Sequence, residues 1–162
     1  MQRIKAIYTF IILLLAVTSY GQKSVSEIPN VFLIGEYEAP YEAMVKDHTD
    51  LLLSVSDNSM EKAYDRWLDL LQSMEDYADN KEFDIKGIKI WLNVFWKKDG
   101  TLNHIVYYPK PNSRNLDFDK LTIFLKGFFD VYQMEVASDS GFSHYGSASF
   151  PTFSKNRTAK EK

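Results

Sequence analysis

From residue 40 onward, apolar side chains recur every three or four positions. Tyr41, Met44, Val45, Leu51, Leu52 and Val55, with His48 among them, fall on one face of a 3.6-residue helix. Pro40 suits a first helical turn, where its missing N–H leaves no partner unsatisfied. This pattern predicts a helix over 40–55. A second stripe, Met60, Ala63, Tyr64, Trp67, Leu71, Met74, Tyr77 and Ala78, predicts a helix over 59–78. Asn58 and Glu61 stand at capping-box spacing before it. Only Ser56-Asp57-Asn58 separates the two stripes, so an antiparallel helical hairpin is expected across 40–80.

The period then drops from 3.6 to 2. Ile88, Ile90, Leu92, Val94 and Trp96 make one face of a strand, while Lys89, Trp91, Asn93 and Phe95 make the other. Lys97-Lys98-Asp99-Gly100 supplies a tight turn, because Gly accepts positive φ without steric cost and Asp tolerates it better than most residues. On the return strand, Leu102 differs in parity from Ile105 and Tyr107, which predicts a β-bulge near Asn103-His104. Pro109 and Pro111 end the hairpin. Phe118, Leu121, Phe124, Leu125, Phe128, Val131 and Tyr132 restore the helical period over 116–132. Gly127 within that helix implies close packing, since glycine costs about 1 kcal/mol relative to alanine there. A final strand is expected over 142–153, with Pro151 confining it to a sheet edge.

These elements define an α+β fold: a three-stranded antiparallel sheet of ββαβ connectivity and strand order 2-1-3. The 116–132 helix would lie on one face, and the helical hairpin would cover the other face or one end. Residues 85–153 and the hairpin are expected to form one domain, preceded by a linker or short strand over 22–39. The polar tail, 154–162, is expected to be disordered.

The first residues add an address. Arg3 and Lys5 precede an apolar run over 6–17 and the small-residue stretch Ser19-Tyr20-Gly21, the pattern of a signal peptide over 1–21. The run is shorter than the roughly 20 residues a spanning helix needs, so cleavage before Gln22, without stable membrane insertion, is the expectation. The chain has no cysteine, which removes disulfides, thiol nucleophiles and thiolate metal sites. Export without disulfides suits the periplasm or cell exterior of a bacterium. A formal charge of −3, made more negative by loss of Arg3 and Lys5, argues against nucleic-acid or anionic-lipid partners. With 45% hydrophobic and 15% aromatic residues, the chain has ample apolar surface for a core.

The segment from Ile88 onward resembles the C-terminal domain of TonB-type proteins. The matching features are the apolar strand running into Lys98-Asp99-Gly100-Thr101, the shifted spacing of Leu102, Ile105 and Tyr107, the helix opening at Leu116-Asp117, and Pro151 two residues before Phe153. The Pro-containing motif usual between helix and last strand is absent from 133–145, and no long Pro-rich linker precedes the domain. The resemblance therefore implies a soluble exported relative and not an energy transducer.

Chemistry-bearing patterns are sparse. His48, His104 and His144 have no close ligand spacing, so no metal or cofactor is expected. Ser143, within Gly141-Phe142-Ser143-His144-Tyr145-Gly146, has the wrong spacing for a nucleophile elbow. Asp76, Asp79, Glu82 and Asp84 read as a solvated helix end. The expected function is non-enzymatic: an interaction module of the cell envelope that binds a protein partner, with the last strand as an edge that accepts an added strand. The expected contact residues are Ser143, Tyr145, Ser147 and Ser149 on that edge. Trp91 and Phe95 on the outward sheet face, which Val106 and Tyr108 would join, are expected first as core beneath the helical hairpin, whose apolar stripe needs a surface, and otherwise as an exposed platform for a peptide or glycan. The alternative is a small exported hydrolase or small-ligand binder, with Ser143 or the acidic cluster of Asp76, Asp79, Glu82 and Asp84 as its candidates, or a glycan binder using the same aromatics.

Overall fold

A computed structural model describes residues 28–115, 117–136 and 138–152. The expected signal segment, Leu116, Phe153 and the tail lie outside them. In chain order the elements are β1 (Val31–Leu33), α1 (Glu38–Asp47), β2 (Asp50–Leu51), a 3-10 turn (Ser54–Ser56), α2 (Met60–Asn80), β3 (Lys89–Trp96), β4 (Leu102–Pro109), α3 (Phe118–Phe129) and β5 (Phe142–Ser149).

The sheet has five strands in the order β1-β4-β3-β5-β2 and is mixed. This corrects the expected three-stranded antiparallel sheet. β3 pairs antiparallel with β4 and with β5, and two short strands add in parallel at the edges, β1 on β4 and β2 on β5. β1 lies in the segment expected to be a linker or short strand and β2 in the segment read as helix, and their pairing depends on partners far along the chain, which periodicity does not record. The bulge lies at Asn103: Phe95 faces His104 while Trp96 faces Leu102. That one extra residue lets both Leu102 and Ile105 point into the core.

The expected helical hairpin is also corrected. α1 ends at Asp47, with His48 as its C-cap, and residues 50–56 run through β2 and the 3-10 turn. Leu51 and Leu52 match the helical spacing by coincidence; Leu52 N donates to Ser143 O at 2.9 Å and its side chain is buried. The N-cap of α2 is Ser59, whose Oγ accepts from Lys62 N, and not Asn58, which sits at φ 55 before the helix.

α2 and α3 share one face of the sheet. Trp67, Leu70, Leu71, Met74 and Ala78 of α2, with Leu121, Phe124, Leu125 and Phe128 of α3, bury Ile90, Leu92, Val94, Trp96, Ile105 and Tyr107. Gly127 permits the closest approach, since a Cβ there would meet the Tyr77 hydroxyl at 2.3 Å. α1 alone crosses the opposite face, where Met44 joins Phe32, Phe95 and Val106 in a second small cluster. The turn is held by Gly100 at φ 80, whose N–H donates to Lys97 O, while Asp99 Oδ1 accepts from the Thr101 N–H and hydroxyl. Among the described residues no helix is long and apolar enough to cross a membrane.

Candidate partner-binding site

The site is built where the outward sheet face meets the β5 edge. β2 occupies that edge only opposite Phe142 and Ser143. Since Ser143 O accepts from Leu52 N, Ser143 directs its backbone groups away from β3. Backbone direction alternates along an antiparallel strand, so Tyr145, Ser147 and Ser149 turn their N–H and C=O groups to the same side. No other strand pairs with that side among the described residues.

Side chains on the outward face frame this edge. Trp91 stacks on Tyr145 with ring centroids 5.5 Å apart and planes 14° from parallel. Lys110 places its Nζ 4.0 Å from the Trp91 ring centroid and donates to Ser147 Oγ. Tyr145 and Tyr108 are exposed, at 58% and 50%, and Trp91 at 37%. With Ile34 and Asn93 they line a shallow groove of about 140 Å³. Asn93 Nδ2 donates to Tyr41 OH at 2.9 Å, which ties the groove's floor to α1.

The structure gathers Trp91, Tyr145, Ser147 and Ser149 into one surface. Phe95 is excluded from it and lies in the core, so its alternative use as an exposed contact is corrected: α1 covers its ring, which meets Tyr41 and His48 edge-on and has no exposed area. Val106 is likewise buried, in the cluster with Met44, and meets the groove only at its floor, whereas Tyr108 is an exposed part of the groove's lining. Ser143 lies at the edge's closed end, beside β2. Lys110 and Ile34 were not anticipated. The parity of Tyr108 and Lys110 could have placed Lys110 on this face; Ile34 enters through the pairing of β1, which has no local signal.

The hydrolytic candidates separate in space. Successive strand residues face opposite sides, so Ser143 points outward while His144 packs against Trp67 on the inner side, ring centroids 4.6 Å apart and planes tilted by 56°. Asp84 hydrogen-bonds Arg114, which holds its carboxyl below the usual range, opposite to the raised value a general acid needs. His48 lies between Met44 O, 2.9 Å from Nδ1, and Asn103 Nδ2, 3.2 Å from Nε2. Burial lowers the pKa of His104, assisted by His48 and Lys97, and burial lowers that of His144. Among the described residues no three His, Asp or Glu side chains gather in metal-binding geometry. No protein-family model, no curated protein and no solved structure matches this chain.

Proposed function

We propose that this chain is an exported interaction module of the bacterial cell envelope that captures an extended segment of a protein partner as an added strand beside β5. The observation that carries the reading is the open backbone of Tyr145, Ser147 and Ser149 beyond the short cover of β2. Main-chain groups at regular spacing provide affinity for an extended chain, and flanking side chains provide selectivity. The resemblance to TonB C-terminal domains from Ile88 onward supports the same kind of role.

The test is a proline substitution. Ser147→Pro removes an outward donor and obstructs pairing, whereas Ser147→Ala leaves the backbone intact. With a partner recovered from an envelope fraction, the folded proline variant should lose binding and the alanine variant should keep it. Circular dichroism verifies the fold of both. Equal binding by parent and folded proline variant contradicts strand addition.

A further inference from the structure

We infer that the segment captured beside β5 carries a carboxylate side chain opposite Ser147 and an aromatic side chain opposite Tyr145, an acidic-x-aromatic signature read on the outward face. The inference rests on the strand-addition reading above and adds the chemistry of the occupant.

It starts from charge. Although the chain is acidic overall, the open part of the edge is cationic. Lys110 leans over Trp91 and its ammonium sits at Ser147 Oγ, on the edge strand itself. Lys89, one strand further in, is in register with Ser149 on the same face. Neither lysine forms an ion pair among the described residues, where the salt bridges are Lys62–Asp57 and Arg114–Asp84. Asp50 stands at the opposite end of β5 and is engaged by Ser140.

Register then fixes spacing. Side chains directly opposite on neighbouring strands lie about 5 Å apart, so a Glu or Asp facing Ser147 comes within reach of the Lys110 ammonium. Two residues along and on the same face, the next side chain meets Tyr145. One face of that ring is stacked on Trp91 and much of the remainder is exposed, a platform for another aromatic ring. The run from Tyr145 to Ser149 admits only a short segment, in which the position opposite Ser147 is central and the position opposite Tyr145 is its same-face neighbour.

The experiment uses four end-blocked hexapeptides titrated into the 15N-labelled protein at low salt. They are Gln-Glu-Thr-Tyr-Thr-Gln, the reversed order Gln-Tyr-Thr-Glu-Thr-Gln for the opposite strand direction, and each with Glu replaced by Lys. At least one Glu peptide should shift the amides of Tyr145, Ser147 and Ser149 and bind about tenfold more tightly than its Lys counterpart, since attraction is exchanged for repulsion at an exposed site. Lys110→Gln should reduce that ratio to about two, and added salt should shrink it. If Glu and Lys peptides shift the same β5 amides with equal affinity, the charge inference fails while strand addition stands. If Ser147→Pro binds the Glu peptide as well as the parent does, if the shifts lie away from β5, or if no peptide binds at about 1 mM, strand addition fails and this inference with it.

Discussion

Glu75 is buried at 2% exposure on α2, and its carboxylate accepts from Thr152 N at 2.6 Å and from Thr152 Oγ1 at 2.8 Å. The pair fastens the chain after β5 to the helix beneath the sheet, and so fixes the C-terminal end of the proposed binding edge. Glu75→Ala should cost about 3 kcal/mol in a denaturant titration, because it leaves the Thr152 donors buried without an acceptor; Thr152→Val, which keeps the amide bond, should cost about 1 kcal/mol. In the main core, Leu92→Ala and Phe124→Ala should each cost about 2 to 5 kcal/mol by the same measurement. Losses under about 1 kcal/mol at both would show that the inward faces of β3 and α3 are misplaced. The histidines set a pH dependence. His104 and His144 have folded pKa values lowered by burial below the ordinary 6.5, so the fold favours their neutral forms. Their contribution is therefore fully present above about pH 6.5 and is lost as acidification approaches the lower folded values. Stability should fall below pH 6.5, and a His104→Gln, His144→Gln double variant should flatten that limb. At this scale the Asp99-Gly100 turn is legible because its chemistry is local. The Glu75–Thr152 contact is not, since its partners stand 77 residues apart and neither announces the other.

Among the elements, β3, β4 and α3 follow directly from alternating or helical apolar positions, and the parity change after Leu102 locates the bulge at Asn103. The segment over 40–55 misleads for a physical reason. Leu51, Leu52 and Val55 continue the i, i+3, i+4 spacing, yet the helix stops at Asp47 because Asp50 and Leu51 pair with Phe142 and Ser143. Local periodicity has no access to that long-range pairing. The consequence for the site is large. A short α1 covers Phe95 and Val106 but leaves Trp91, Tyr108 and Tyr145 uncovered, so the outward face is half core and half surface. Met44→Ala, which opens the small outer cluster, should destabilise by about 2 kcal/mol, while Val45→Ala on the exposed side of α1 should stay within about 0.5 kcal/mol. Equal effects in thermal or chemical melts would mean that α1 meets the sheet through a different face.

For the whole molecule, the strand order β1-β4-β3-β5-β2 gives two edges of unlike character. Among the described residues, one carries β1 along the middle of β4, and the other carries only the two residues of β2, leaving most of β5 unpaired outward. Both long helices lie on one face, which concentrates the main core there, while α1 covers part of the opposite face over Phe95 and Val106. The sequence pattern identifies the three central strands and the candidate edge and allows a short strand where β1 stands, but it does not reveal β2, which decides how much of the β5 edge stays open. The account depends on that opening, and residue-resolved amide hydrogen exchange along β5 tests it most directly. The amides of His144, Gly146 and Ala148, which face β3, should exchange slowly, while those of Tyr145, Ser147 and Ser149 should exchange at least about a hundredfold faster. Slow exchange at all six positions would contradict the account, because it would mean that another part of the chain already occupies the edge.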